Sequence, residues 1–354
     1  MNILITGGAG FVGSRLALLY RERYPQSKIF AFDNLRRRGS ELNLPMFKQH
    51  NIQFVHGDIR QPSDFTDLRI HPDLFIEASA EPSVHAGIGQ DPRYVFDTNL
   101  GGTFNCLEFA RKQSGTFVFL STSRVYAIDA LREIPLVERK SRFAIDETKL
   151  ARGLTGEGIT EEFETRSARS LYGCTKLCSE YLVQEYTRLF SLKAVINRCG
   201  VIAGAGQFGK VDQGVFTMWV ANHIYGKELT YMGFKGTGKQ VRDLLHPSDL
   251  FTCIEAQAEH IERINGDVFN VGGGLAASIS LLELTRLCQE ITGQELVIHR
   301  HPETNPVDVP YYVSDTTKVQ ETLGWQPAHP ASYIIRDIAG WIGQNKKELA
   351  HLFA

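Results

Sequence analysis

No stretch of this chain stays apolar for the ~18 residues that a membrane-crossing helix needs, so the sequence offers no span. Charge of one sign is missing too. Against 38 Lys and Arg stand 40 Asp and Glu, and a formal net charge of −2 leaves no polybasic face for nucleic acid or an anionic lipid surface. Cysteine is sparse: the six, at positions 106, 174, 178, 199, 253 and 288, include no C-x-x-C pair, which suits a reducing compartment. The first apolar run begins at residue 2, leaving no room for a signal peptide, and a cytoplasmic location is expected. Metal ligands are equally thin. Cys174 and Cys178 share a helix face with no histidine or carboxylate at ligand spacing, His299 and His301 lack a third partner, and no metal site is expected. There are no internal repeats and no low-complexity tracts. At 354 residues and 43% hydrophobic, the chain has length enough for one large globular unit and a smaller companion.

What is present starts with glycine. Thr6-Gly7-Gly8-Ala9-Gly10-Phe11-Val12-Gly13 directly follows the apolar run Ile3-Leu4-Ile5. Asn2 to Thr6 reads as a short buried strand and Phe11 to Arg23 as an amphipathic helix, so Gly7, Gly10 and Gly13 fall at a strand-to-helix turn. Such a turn brings backbone close to a pyrophosphate and points helix N-terminal N–H groups at it. The spacing is G-x-x-G-x-x-G, not G-x-G-x-x-G, and the missing Lys-Ser/Thr argues against a P-loop. A second apolar run, Lys28 to Phe32, ends in Asp33, about twenty positions past Gly13, where a carboxylate accepts the ribose hydroxyls of NAD and repels a 2′-phosphate. Arg36, Arg37 and Arg38 pull the other way, toward NADP. Asp33 holds the position nearest the ribose, and NAD is expected.

Further apolar runs, 52–56, 73–78, 116–121 and 192–197, alternate with helical stretches. The rhythm predicts an α/β fold with a Rossmann-type doubly wound parallel sheet, its ligand lying outside the carboxyl ends of the strands. Asp58, Ala78-Ser79-Ala80, Ser121-Thr122-Ser123 and Arg198 sit there. Residues 127–167, long and charged, are expected to form a lid. Past Arg198, short strands and glycine-rich turns suggest a smaller C-terminal α/β substrate domain. The expected boundaries are 1–200 with about 241–262 for the NAD-binding domain, 201–240 and 263–330 for the substrate domain, and 331–354 for a C-terminal helix.

Tyr172 and Lys176 stand one helical turn apart. A cation near a tyrosine stabilises its phenolate, which can take a proton from a substrate hydroxyl as hydride leaves the same carbon. Thr122, at a strand end, is the hydroxyl suited to position the reacting oxygen. Alone, a Y-x-x-x-K pair reads as ordinary packing; behind a nucleotide-binding turn it reads as redox chemistry on an alcohol.

This constellation resembles the extended short-chain dehydrogenase/reductase family of nucleotide-sugar enzymes over nearly the whole chain. Further segments that carry the likeness are Asn99-Leu100-Gly101-Gly102-Thr103, Val241-Arg242-Asp243-Leu244-Leu245-His246, Phe269-Asn270-Val271-Gly272 and Leu323-Gly324-Trp325-Gln326-Pro327. Within the family, residues 33–44, 197–204 and 207–214 resemble the branch of CDP-tyvelose (CDP-paratose) 2-epimerases. The resemblance implies a catalytic set of Thr122, Tyr172 and Lys176. It implies NAD held by Gly7, Gly10, Phe11, Val12, Gly13, Asp33, Asn34, Arg37, Asp58, Ile59, Ala78, Ser79, Ala80, Asn99 and Arg198, together with Tyr172 and Lys176. Substrate contacts would come from Ser123, Arg124, Gln207, Lys210, Gln213, Gln240 and Arg242.

Two departures shape the functional expectation. Related sugar dehydratases carry an acidic pair after the threonine, where this chain has Ser123 and Arg124, so elimination of water is disfavoured. Where many relatives have an arginine for the substrate diphosphate, this chain has Asn305-Pro306-Val307-Asp308, so either Arg300, Arg242 or Lys210 takes that charge or the substrate differs from the usual one. The expectation is an NAD-dependent epimerase acting on a nucleotide-diphosphate sugar, CDP-linked by resemblance, through a transient ketosugar at C2. The competing readings are a UDP-sugar 4-epimerase, a nucleotide-sugar oxidoreductase or decarboxylase, and a non-catalytic NAD-binding sensor. A homodimer or homotetramer is expected, paired through helices at 92–112 and 171–189.

Overall fold

The structure is a computed structural model that describes residues 1–89, 91–208 and 214–353. Seven strands, β1 (Asn2–Thr6), β2 (Lys28–Asp33), β3 (Gln53–His56), β4 (Leu74–Glu77), β5 (Thr116–Thr122), β6 (Lys193–Cys199) and β7 (Val268–Val271), form one parallel sheet in the order 7-6-5-4-1-2-3. Most of these strands are apolar nearly throughout because helices cover both faces. Alternate side chains build the two layers. Ile3 and Ile5 face Ile29, Ala31, Leu16 and Tyr20 on one side, whereas Leu4 and Phe30 face Phe75, Phe117 and Phe119 on the other. Phe75 and Phe117 meet edge to face at 5.1 Å, and burying each such ring stabilises by about 1.5–3 kcal/mol. Helix α1 (Phe11–Arg23) lies over the first layer. Helices α2 (Gly102–Gln113) and α3 (Leu171–Phe190) lie over the second. The strand order reverses between β1 and β4, which opens a crevice at their carboxyl ends.

The remaining strands make smaller sheets. Val241–Leu245 pairs with Ser278–Ser280, Tyr311–Tyr312 and Val201–Ile202, and Leu229–Met232 pairs with Ile298–His301. Their core is separate: Phe216, Trp219 and Val220 of α4 (Val215–Tyr225) pack on Leu284 of α5 (Leu281–Thr292) and on Ile334, Ile335 and Ile338 of α6 (Ala331–Gln344). Among the described residues no helix is long and apolar enough to cross a membrane.

Several expectations are corrected here. Val268–Val271, placed by the sequence in the substrate domain, is the seventh strand of the main sheet. Val241–Leu245, placed with the nucleotide domain, joins the smaller sheet instead. The segment 331–354 is not one helix. It breaks at Asn345, and α7 (Lys346–Phe353) follows. Residues 127–167 are not a lid either: Ile128, Leu131, Ile145, Leu154, Ile159 and Phe163 are buried in a core with Val309, Tyr311 and Val313. The partners of these apolar residues are distant in sequence, at Leu177, Val241 and 309–313.

Candidate active site

The glycine turn is built by close approach. Gly7 has φ +63°, and a Cβ there would stand 2.7 Å from the Ala78 carbonyl oxygen; at Gly13 it would stand 2.3 Å from that of Gly7. Only bare backbone fits, and the first turn of α1 is left facing the crevice. Asp33 ends β2 beside this turn and accepts hydrogen bonds from the Ala9 N–H (3.1 Å) and the Leu35 N–H (2.7 Å). Burial raises its pKa, and those backbone donors oppose the rise. These residues fit a dinucleotide: a cradle closed to any Cβ and a carboxylate at the ribose position.

Tyr172 is placed by an equally tight contact. Ser170 caps α3 by accepting from the Gly173 N–H (3.2 Å), and a Cβ on Gly173 would lie 2.0 Å from the Arg124 carbonyl oxygen. The helix start is thereby pressed on the turn after β5. The Thr122 hydroxyl accepts from the Arg124 N–H at 3.2 Å and lines the same cleft as Tyr172. Burial pushes the Tyr172 phenol up to about 12; the Thr122 hydroxyl and the Arg124 charge oppose the rise. Lys176, the cation that the sequence pointed to, is buried with its ammonium 3.9 Å from the Phe119 ring centroid, and burial lowers its pKa.

A cleft of about 1190 Å³ joins these groups. It runs from Gly7, Gly10, Phe11, Val12, Gly13, Asp33, Asn34 and Arg37 past Ile59, Ala78, Ser79 and Ala80 to Thr122, Ser123, Arg124 and Tyr172, and on to Gln207, Gln240 and Arg242. That exceeds the usual pocket for one small ligand and suits two extended ones end to end. At the far end Arg242 donates to Asp308 (3.0 Å) and to the Val309 carbonyl (2.7 Å), and burial pushes its pKa down to about 10 against the pull of Asp308. Gln240 donates to the Met232 carbonyl (3.2 Å), while its Oε1 is buried with no partner among the described residues. Gln207 donates to the Ile202 carbonyl (3.0 Å) and accepts from Thr217 (2.6 Å).

Five expected residues do not line the cleft, the buried Lys176 among them. Arg198 is buried on Glu180 (2.8 Å) and reaches the Tyr126 hydroxyl (3.3 Å). Asn99 is buried too, accepting from the Glu81 N–H (2.8 Å) and donating to the Thr175 hydroxyl (3.2 Å), so it holds the loop after β4 without lining the site. Asp58 pairs with Arg60 (2.5 Å) and accepts from Asn34 (3.0 Å); burial would raise it, but these bonds hold it at about 2. Arg300 does not line the cleft. Lys210 and Gln213 lie outside the described residues. Conversely, Glu81, His85 and Tyr94 line it, as do Phe208, His301, Thr304 and Asp308. The first three follow the carboxyl end of β4 at the switch point, a position that marks them in the sequence. Among the described residues no three His, Cys, Asp or Glu side chains converge on a metal-sized site.

Comparison with known proteins agrees with this geometry. Residues 3–272 match the NAD dependent epimerase/dehydratase family. The chain belongs to that family, and NAD is its cofactor. It is 30% identical over 349 residues to CDP-paratose 2-epimerase of Salmonella typhi, covering 96% of this chain and 99% of that protein. It is 28% identical over 352 residues to dTDP-glucose 4,6-dehydratase of Streptomyces niveus, covering 98% and 94%. Among solved structures, UDP-glucuronic acid 4-epimerase from Bacillus cereus, in complex with UDP-glucuronic acid and NAD, superposes with a TM-score of 0.76 at 24% identity over 97% of this chain and 99% of that one. UDP-glucose 4-epimerase from Thermotoga maritima gives 0.79 at 23% identity, covering 98% of this chain and all of that one. At such identities these two likenesses concern the fold.

Proposed function

We propose that the protein is a nucleotide-sugar epimerase that inverts a ring hydroxyl through a transient ketosugar, with C2 of a CDP-linked sugar as the favoured centre. One observation carries the reading. The turn after the Thr122–Tyr172 pair holds Ser123 and Arg124, so the position from which an acid would expel water presents a hydroxyl and a guanidinium. The likeness to CDP-paratose 2-epimerase supports the choice of carbon and nucleotide. The six free thiols fit a cytoplasmic setting.

Bound NAD⁺ would supply the hydride acceptor and, once reduced, return the same hydride to the other face of the sugar. Tyr172 takes the hydroxyl proton and gives it back. Thr122 bonds the same oxygen and keeps it in line with Tyr172. Ionising a phenol held near 12 requires nearby positive charge: Arg124 opposes the rise, and Lys176, one helical turn on, would add to it. Gly7, Gly10, Gly13 and Asp33 hold the cofactor. At the other end Arg242 exchanges part of its bonding to Asp308 for the substrate diphosphate, and the Gln240 Oε1 accepts a hydrogen bond from the sugar nucleotide.

The test is incubation with CDP-, UDP-, GDP- and dTDP-sugars in D₂O, with products resolved by NMR. A CDP-sugar inverted at C2 without solvent deuterium at that carbon is the expected product, because the hydrogen travels as hydride and never mixes with water. Solvent deuterium at the inverted centre would overturn the ketosugar route. Inversion at C4 of a UDP-sugar would keep the route and replace the substrate.

A further inference from the structure

Glu77 ends β4 and is fully buried, with 0% of its surface exposed. Its Oε1 bonds the Thr103 hydroxyl of α2 at 2.6 Å, while its Oε2 has no partner among the described residues. A carboxylate so placed, with a single hydrogen bond, is costly unless a charge compensates it. Lys176, on α3, is the other unmatched charge in the same compartment. It is 1% exposed, makes no ion pair among the described residues, and rests its ammonium 3.9 Å from the Phe119 ring centroid. Phe119 is the register partner of Glu77 on the adjoining strand β5. Matched residues on neighbouring parallel strands point to the same face, so carboxylate and ammonium share one dry layer between the sheet and helices α2 and α3.

The other charged groups of this layer are accounted for. Glu180 is bonded by Arg198 (2.8 Å) and by the Ser121 hydroxyl (2.5 Å). Cys106 on α2 and Cys199 on β6 are both held as thiols by burial. Burial pushes Glu77 up to about 7, and Lys176 is the first influence opposing it. Burial likewise lowers Lys176, and Glu77 is the first influence opposing that.

We propose that Glu77 is the counter-charge of Lys176, a positioning residue that keeps the lysine an ammonium ion one helical turn from Tyr172. The proposal rests on the reading of Tyr172 and Lys176 as the proton-transfer pair. It assigns Glu77 no contact with substrate: the carboxylate acts through the lysine, whose positive charge favours the phenolate.

The experiment has two arms, both on the NAD-loaded protein. Glu77→Gln keeps the shape and an oxygen to accept from Thr103 but removes the charge. The alkaline limb of its kcat profile should move toward acid by about one pH unit or more, because the lysine now sheds its proton more readily. A residue that serves packing alone would lower activity equally across the pH range. The second arm reads thermal unfolding against pH for wild type, Lys176→Met and the Glu77→Gln/Lys176→Met double variant. With the lysine gone, Glu77 is a lone buried carboxylate whose folded pKa lies above its unfolded value of about 4.3. Wild-type Glu77, held at about 7, already costs stability as pH rises from about 4 to 7; without Lys176 its folded pKa lies higher still, so the loss in Lys176→Met should continue above pH 7, and the double variant should lack the whole slope. An alkaline limb unmoved in Glu77→Gln, or a Lys176→Met profile parallel to wild type, overturns the proposal. The stability arm needs no turnover and no substrate. Its failure is therefore separate from failure of the epimerase reading, and it decides the matter even if Glu77→Gln alone folds poorly.

Discussion

Gly173 has no room for a side chain, and that contact with the Arg124 carbonyl sets how near α3 comes to the end of β5. Tyr172 inherits its position from it, and its phenol lines the cleft with Thr122. Removing the phenol oxygen should then remove chemistry without disturbing structure. Tyr172→Phe is expected to fold and keep its NAD while turnover drops by about 10²–10⁴-fold, the usual contribution of a general acid–base group. Steady-state kinetics beside the NAD content of the denatured variant checks this. If the variant keeps about a tenth of wild-type turnover or more, far above what that range allows, another group is the base. Single residues also show where sequence reading stops. The place of Thr122, Tyr172 and Asp33 on the cleft is legible because each stands at a strand or helix end. Arg198 met the same criterion and was misassigned, since its pairing with Glu180 is made in space and leaves no local mark. Glu77 escaped notice for the opposite reason: it ends an apolar strand and reads as its boundary.

At the scale of elements, the sheet was legible because β1, β2, β4, β5 and β6 are near-continuous apolar runs between helical stretches. β7 was not, because Val-Phe-Asn-Val is four residues long and pairs with a strand some seventy positions earlier. The helices that flank the sheet leave apolar surface uncovered. Phe96 and Phe104 are exposed on the 93–113 helical segment, and Tyr181, Leu189 and Phe190 on α3. Exposed apolar side chains on two neighbouring helices suit an association surface. We propose that a second copy of the chain covers them, forming a dimer in which the two helices of each protomer pack against their counterparts. Light scattering should give twice the chain mass, and Phe104→Glu with Tyr181→Lys should give a folded monomer. A wild-type protein that is monomeric at micromolar concentration removes the proposal.

For the whole molecule, the cleft is the consequence that matters: one continuous channel with the cofactor cradle on the large sheet and Gln240, Arg242 and Asp308 contributed by the smaller one. A sugar nucleotide entering from the far end would cover the nicotinamide end of the channel. An epimerase regenerates its cofactor each cycle and gains nothing from releasing it. Protein purified without added nucleotide should therefore carry its cofactor, and denaturation should release NAD and not NADP. The discrimination rests on Asp33, stitched to the glycine turn through the Ala9 N–H, where a 2′-phosphate would meet a fixed carboxylate. The neighbouring arginines do not cancel it. Arg36 stacks on the Tyr94 ring at 4.0 Å and Arg38 reaches toward the His351 carbonyl at 3.5 Å. Chromatography of the acid-released nucleotide settles the question in one measurement. NADP in that fraction, or tight NADP binding by protein stripped of nucleotide, would mean that Arg37 or its neighbours turn to the ribose and that Asp33 does not select the cofactor.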